Sequence, residues 1–209
     1  MRKSKELSPA ATGSEFVPEN YFVPLDLNRV FGRIASVEID IGCGDGAFLV
    51  ALASQNPARN FLGIERLLGR ARCACRKIAQ QKLDNARVMR VESSYAIRYL
   101  LPPGSVAVFY LMFPDPWPKR RHQRRRIITA DFLGSIRRAL SPDGLLRIAT
   151  DRYDYFTEIQ RAVSKTGGFV VEAFRDDPSD IPTTTFEKRF RDQRLEIHRL
   201  ALRKVWEVR

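Results

Sequence analysis

Residues 40–46, Asp-Ile-Gly-Cys-Gly-Asp-Gly, overlap the end of a β-rich run at Val37 to Ile41 and lead into a helical segment at Ala47 to Gln55. Glycines between a strand and a helix allow a tight turn and let a ligand approach the backbone closely. The stretch therefore predicts a strand, loop and helix unit that holds a nucleotide-type ligand at its loop.

Short β-rich runs alternate with segments of helical period on the carboxyl side of this loop. The predicted strands are Val37 to Ile41, Asn60 to Ile64, Arg87 to Glu92, Val106 to Phe113 and Leu145 to Thr150. The predicted helices are Ala47 to Gln55, Leu67 to Leu83, Tyr95 to Leu101, Ala130 to Leu140 and Tyr153 to Lys165. This alternation is typical of an α/β fold with a mostly parallel, doubly wound sheet. The fourth strand is apolar throughout, which predicts a central position in the sheet.

The alternation changes after Gly168. Phe169 to Phe174 and Ile197 to Val205 both have strand composition, and no convincing crossover helix separates them. Two strands without a crossover helix indicate an antiparallel C-terminal strand. The polar stretch between them, Arg175 to Thr185, is predicted to be a loop that can close over a site.

Length and charge favour one nucleic-acid-binding domain. The 209 residues suffice for a single well-packed α/β domain, which we predict at residues 36–209. Residues 1–35 are predicted to be a basic N-terminal arm and lead-in, partly disordered. Lys and Arg number 36 against 24 Asp and Glu, a net charge of +12. Such a balance attracts polyanions, and nucleic acid is the predicted partner.

The apolar runs and the cysteines argue against a membrane-spanning, secreted or zinc-binding protein. The longest apolar run, Val106 to Phe113, falls far short of the roughly 20 residues that a spanning helix needs. The amino-terminal segment contains no apolar block of the kind found in secretory signals. The three cysteines lack C-x-x-C spacing, which argues against a disulfide framework or a zinc site. The sequence thus predicts a reduced, cytoplasmic protein without a membrane segment or a metal.

The charge of the glycine loop favours one cofactor over another. Its spacing also fits the dinucleotide pattern, so spacing alone does not exclude NAD. Asp40 and Asp45 flank the loop, however, and no lysine or arginine lies within it. A pyrophosphate would meet carboxylates there, whereas the amino and sulfonium groups of S-adenosyl-L-methionine are cationic. S-adenosyl-L-methionine is therefore the predicted cofactor.

Acidic residues stand at the ends of three predicted strands. Asp40 ends the first, Glu65 the second and Glu92 the third. The carboxyl ends of such strands line the ligand crevice, where Glu65 can accept hydrogen bonds from ribose hydroxyls and Glu92 can meet the adenine amino group. The predicted cofactor-binding residues are Asp40, Gly42, Gly44, Gly46, Glu65 and Glu92.

Several motifs, taken in order, carry a family resemblance. They are Phe-Pro-Asp-Pro-Trp-Pro-Lys at 113–119, Arg-His at 121–122, Thr-Asp at 150–151 and Thr-Thr-Phe-Glu at 184–187. Together they resemble the bacterial tRNA (guanine-N7)-methyltransferase family over residues 36–205. Family members often have Glu where this chain has Asp40, and the shorter side chain implies a less direct contact with the cofactor.

The resemblance implies a Rossmann-like class I methyltransferase fold with S-adenosyl-L-methionine as cofactor and tRNA as partner. It also implies methyl transfer to N7 of the variable-loop guanine, position 46 in tRNA numbering. The implied substrate-binding residues are Lys119, Asp151, Thr184, Thr185, Phe186 and Glu187.

Asp115 is the candidate catalytic residue. Three prolines at 114, 116 and 118 fix φ and stiffen the loop that carries it. A carboxylate can accept hydrogen bonds from N1–H and N2–H of guanine, which selects that base. N7 already bears a lone pair, so no strong base is needed. We expect Asp115 to position the base and to stabilise the positive charge that it gains.

A basic run follows the proline loop. Six of the eight residues from Lys119 to Arg126 are Lys or Arg. A charge run is often only a solvated surface, but its position beside the predicted site favours contact with RNA phosphates. The predicted phosphate contacts are Arg120, Arg121, Arg124, Arg125 and Arg126.

Two other functions stay open at this point. One is methylation of an exocyclic base amine, since Asp-Pro-Pro-aromatic motifs follow the fourth strand in such enzymes. The other is a non-catalytic RNA-binding module, against which the acids at three strand ends argue. The sequence does not decide the oligomeric state.

Overall fold

The computed structural model describes residues 13–174 and 181–205. Within these ranges the chain forms one sheet in the order β1-β4-β3-β2-β5-β6-β8-β7. The strands are β1 (Glu15–Phe16), β2 (Val37–Ile41), β3 (Asn60–Ile64), β4 (Ala86–Met89), β5 (Val106–Met112), β6 (Leu140–Thr150), β7 (Phe169–Glu172) and β8 (His198–Lys204). The part of the predicted arm before residue 13 and most of the predicted loop, 175–180, lie outside the described residues.

Helices connect the strands. They are α1 (Leu27–Phe31), α2 (Ala47–Gln55), α3 (Leu68–Gln80), α4 (Ser93–Tyr95, continued by a π-helical turn at Ala96–Leu100), α5 (Ala130–Ala139), α6 (Tyr153–Thr166) and α7 (Thr185–Asp192). A short 3₁₀ helix covers Arg120–Arg125. Across the described ranges, no helix combines the length and apolar character that crossing a bilayer requires.

The pairing confirms the predicted fold. Strands β1 to β6 pair in parallel, while β8 runs antiparallel to both β6 and β7. The strand order reverses at β2, which lies between β3 and β5. In open α/β sheets a ligand crevice forms outside the carboxyl ends of the strands at such a switch point. Asp40 on β2 is in register with Tyr110 on β5, so both strands deliver their ends to this crevice.

Two apolar clusters bury the faces of the central strands. The larger cluster includes Ile39, Leu62 and Phe109, and the smaller one includes Leu49 and Ala74. Strand β5 contributes Phe109 to the larger cluster and Tyr110 to the smaller one. This two-sided burial explains why the fourth predicted strand is almost continuously apolar.

Some elements differ from the sequence prediction. Strand β4 ends at Met89, so Glu92 is not at a strand end. Strand β1 and helices α1 and α7 were not predicted. The first two are very short, and α7 buries only one residue, Glu187. The sequence signal for α7 is the capping pattern of Thr184 and Glu187, whose alternative interpretation is a helix start.

Candidate cofactor and substrate cleft

A cleft of about 1030 Å³ opens at the carboxyl ends of the central strands. It brings together residues that lie far apart in the sequence, including the predicted catalytic residue and acids from two strands. The predicted residues in its wall are Asp40, Gly42, Gly44, Glu65, Glu92, Asp115, Arg125, Arg126, Thr184, Thr185 and Phe186.

The first two glycines leave the loop backbone open to the cleft. Gly42 and Gly44 have φ values of +71° and +58°, which L side chains rarely adopt. A Cβ built on Gly42 would meet nothing within 4 Å, and one on Gly44 would be 3.9 Å from its nearest neighbour. A ligand can therefore approach both backbones closely.

Gly46 is packed differently from Gly42 and Gly44. Its φ is +77°, and an added Cβ would lie 2.5 Å from Cβ of Ala74 on α3. Gly46 is buried and is not among the residues that form the cleft wall. It allows α2 to begin in contact with α3, and its predicted contact with the cofactor stays a prediction.

Glu65 ties the glycine loop to the end of β3. One carboxylate oxygen accepts from the backbone N–H of Gly44 at 3.1 Å, and the other accepts from Leu67 N–H at 2.8 Å. A carboxylate has about four acceptor positions, so each oxygen can accept a further hydrogen bond from a ligand hydroxyl. Glu65 therefore fixes the loop and can still contact a ribose.

Glu92 lies in the cleft wall, but it does not end a strand as predicted. It lies three residues beyond the end of β4 and caps the first turn of α4. Its carboxylate accepts from the backbone N–H groups of Ser94 at 3.0 Å and Tyr95 at 2.8 Å. The strand-end assignment is wrong because the chain leaves the sheet early to begin this helix.

Asp40 presents a buried carboxylate with an unsatisfied oxygen. Within the described part of the chain, its Oδ2 has no hydrogen-bond partner, and the residue is 4% exposed. Burial, assisted by the nearby charge of Glu65, raises the pKa of Asp40 to about 7. A buried carboxylate that lacks a partner is costly by itself and is stabilised by a cationic ligand group. The cleft therefore fits S-adenosyl-L-methionine.

The raised pKa of Asp40 predicts a pH-dependent stability. The folded protein binds this proton more tightly than the unfolded chain, so the stabilising contribution is present below about pH 4 and is lost as the pH rises through about 7. Replacing Asp40 with Asn should raise the free energy of unfolding of the ligand-free protein at pH 8 by up to about 4 kcal/mol. Urea unfolding of the variant and the wild type at pH 5 to 8 measures this difference in unfolding free energy. A difference that does not grow with pH would contradict the assignment.

The loop that carries Asp115 is held in an unusual conformation. Phe113 and Trp117, two residues to either side, have φ values of +54° and +41°. Such values are costly for residues other than glycine and persist only when the surroundings impose them. Trp117 stacks on His122 with ring centroids 5.8 Å apart, and the Arg125 guanidinium lies 4.9 Å from the centre of the Trp117 ring. Asp115 itself is exposed in the cleft wall.

The Thr-Thr-Phe-Glu motif closes another side of the cleft. Thr184 caps α7 by accepting from Glu187 N–H at 2.9 Å, and Phe186 is 48% exposed in the cleft wall. Glu187 is buried instead, where it accepts from Arg191 at 2.9 Å and from Arg199 at 2.6 Å.

Three of the implied substrate-binding residues are not part of the cleft wall. They are Lys119, Asp151 and Glu187. Lys119 is exposed, Asp151 is half-buried and Glu187 is engaged by arginines as described.

The basic run divides into exposed and buried members. Arg120, Arg121, Arg124 and Arg125 are exposed. Arg126 is only 5% exposed and pairs with Asp154 and Glu158 on α6. Its guanidinium is already used inside the protein, and its contact with RNA phosphate stays a prediction.

Sequence reasoning missed three arginines in the cleft wall: Arg66, Arg70 and Arg98. They lie outside the glycine loop: Arg66 is in the connection between β3 and α3, Arg70 is on α3, and Arg98 is on the π-helical turn that continues α4. Arg66 directly follows Glu65, so its place beside a predicted strand end was the one available signal. Across the described ranges, no group of three or more His, Cys, Asp or Glu residues is placed to hold a metal ion.

Comparison with known proteins identifies the family. A family model described as "Putative methyltransferase" matches residues 35–200. The tRNA (guanine-N(7)-)-methyltransferase of Leifsonia xyli subsp. xyli is 40% identical over 173 residues, which are 79% of this chain and 74% of that protein. The enzyme of the same name from Thermotoga maritima is 34% identical over 93% of this chain, which spans 62% of that longer protein.

A solved structure supports the fold. The 16S rRNA methyltransferase KamB superposes with a TM-score of 0.61 at 16% identity, over 87% of this chain and 93% of that one. The identity is low, so this likeness bears on the architecture alone. Sequence relatives and family model together confirm the predicted S-adenosyl-L-methionine-dependent methyltransferase, and the chain belongs to the tRNA (guanine-N(7)-)-methyltransferase family.

Proposed function

We propose that this protein transfers a methyl group from S-adenosyl-L-methionine to N7 of the variable-loop guanine of tRNA, position 46 in tRNA numbering. The observation that carries the proposal is that Asp115 shares one cleft with Asp40 and Glu65. A base held by Asp115 would then lie beside a cofactor held by the two acids. We propose further that the domain at residues 36–209 performs this reaction, and that it does so in the cytoplasm.

The acids and glycines form the cofactor side of the cleft. Asp40 offers its buried carboxylate to a cationic group, and Glu65 offers lone pairs to ribose hydroxyls. The open backbones at Gly42 and Gly44 allow close approach. When bound, S-adenosyl-L-methionine supplies an electrophilic methyl group on its sulfonium.

The proline loop forms the base side. Asp115 accepts hydrogen bonds from N1–H and N2–H of guanine, which leaves N7 on the opposite edge free to attack. As the base gains positive charge, the fixed carboxylate stabilises it without having to reorient. Phe186 and Trp117 add aromatic faces in the same wall, on which a purine can stack. No residue has to remove a proton from N7 before the transfer.

A tRNA that lacks one nitrogen tests the proposal. In a tRNA with 7-deazaguanine only at position 46, a C–H group replaces N7. We expect this tRNA to bind as well as the unmodified transcript and to accept no methyl group. Methylation at the wild-type rate would contradict N7 transfer at that guanine and would favour an exocyclic amine. Failure of both tRNAs to accept methyl, with no cofactor binding by calorimetry, would favour a non-catalytic RNA-binding module.

The exposed arginines of the basic run are proposed to contact the tRNA backbone. We expect the triple replacement of Arg120, Arg121 and Arg124 by Gln to reduce the slope of log K for tRNA binding against log salt concentration by about 2 to 3. Each phosphate contact contributes roughly 0.7 to 0.9 to that slope. Binding should be followed by fluorescence anisotropy at several salt concentrations. A control that removes two charges elsewhere replaces Arg161 and Lys165 with Gln on the exposed side of α6, and its slope should equal that of the wild type. Equal slopes for the triple variant and the wild type would reject the contact.

A further inference from the structure

The loop at 114–118 has little support from its own backbone. Three of its five residues are proline and lack an N–H group. Within the described residues, one hydrogen bond joins this loop to another segment: Arg126 Nε donates to the carbonyl oxygen of Pro116 at 2.8 Å. That carbonyl belongs to the residue directly after Asp115. Besides the aromatic contacts of Trp117, the Asp115 backbone is therefore held by one side chain, that of Arg126.

The other nitrogens of the same guanidinium are fixed on α6. Arg126 Nη2 donates to Asp154 at 2.8 Å, and Nη1 donates to Glu158. The guanidinium carbon also lies 4.6 Å from the centre of the Tyr155 ring. The guanidinium therefore has hydrogen bonds along its edges and an aromatic ring against one face. Arg126 is therefore rigid, and it transmits the position of α6 to the loop.

Backbone strain makes this support necessary. Phe113 and Trp117 are held at positive φ on either side of Asp115. Such φ values are costly for residues other than glycine, so we expect the loop to relax to ordinary φ values if its tether is removed. Relaxation at either position would displace the Asp115 carboxylate.

We infer that Arg126 is a positioning residue, which holds Asp115 in its active position by tying the Pro116 carbonyl to Asp154 and Glu158. It does not contact the substrate in this role. The inference rests on the proposed function in one respect, the role of Asp115 in catalysis. It predicts that Arg126 affects methyl transfer only through Asp115.

A double-mutant cycle tests this dependence. Arg126→Met should lower kcat by roughly 10- to 100-fold, because a displacement near 1 Å is sufficient for such a loss, while cofactor affinity stays unchanged. In an Asp115→Asn background the same change should have almost no further effect. If the fold-losses in kcat of the two single variants multiply in the double variant, the inference is overturned. The matched control, Arg161→Met, changes an exposed arginine on α6.

A second measurement does not depend on activity. In a Trp206→Phe background Trp117 is the sole tryptophan, and acrylamide quenching of its fluorescence reports how well the loop is held. We expect stronger quenching in Arg126→Met, a smaller increase in Arg126→Lys, and none in Arg161→Met. If Arg126→Met does not fold, Glu158→Gln weakens the same tether from α6 and should also increase quenching. Unchanged quenching in Arg126→Lys and Glu158→Gln would overturn the inference. Normal kcat in Asp115→Asn would reject the proposed role of Asp115 alone, and quenching would still decide whether Arg126 holds the loop.

Discussion

Asp115→Asn is expected to lower kcat for tRNA methylation by about 100-fold or more, the size of effect seen when one fixed electrostatic group is removed from an active site. The amide keeps the shape of the side chain but loses its charge and replaces one acceptor oxygen with a donor. That donor would face the N1–H and N2–H groups of guanine. Single-turnover methyl transfer with saturating cofactor and tRNA measures the chemical step.

The control for this variant is Asp84→Asn, an exposed acid just before β4 at the opposite end of the strands from the cleft. It removes the same charge and should leave kcat unchanged. Calorimetry should show normal cofactor affinity for both variants. A kcat within about threefold of wild type for Asp115→Asn would contradict the assigned role.

Gly46→Ala is expected to cost roughly 2 to 5 kcal/mol of unfolding free energy, the sum of a positive-φ penalty and an overpacking penalty. The new Cβ would lie 2.5 Å from Cβ of Ala74, at a φ of +77°. Since domains of this kind have a total stability of about 5 to 15 kcal/mol, the variant should be close to unfolding in mild denaturant.

Gly42→Ala provides a matched control in the same loop. Its φ is +71°, almost equal to that of Gly46, but its added Cβ meets nothing within 4 Å. It should therefore carry only the conformational cost of about 1 to 2 kcal/mol. Urea unfolding of both variants separates the two terms. Equal losses would show that contact with Ala74 contributes nothing.

The parts of the site that follow from strand ends could be predicted from the sequence. Asp40 and Glu65 meet in the cleft because the carboxyl ends of neighbouring parallel strands lie side by side. Glu92 was placed correctly in the cleft but for the wrong reason, since sequence patterns locate strand ends poorly and β4 stops at Met89.

Residues whose roles depend on distant partners could not be predicted. Arg126 is the last of three consecutive arginines and does not differ from the others in sequence. Its acidic partners lie 28 and 32 residues further along the chain, on a helix whose orientation only the tertiary structure supplies. The role of Gly46 likewise depends on contact with Ala74, which no local pattern contains.

The central claim is that this cleft directs a methyl group to N7 of one tRNA guanine. Mass-spectrometric mapping of nuclease digests tests it most directly, after incubation of the full chain with S-adenosyl-L-methionine and bulk unmodified tRNA. We predict 7-methylguanosine in the variable-loop fragment, and about a hundredth as much or less when Asp115→Asn is used over the same initial-rate period. A methyl group on an adenine or on an exocyclic amine would contradict the claim.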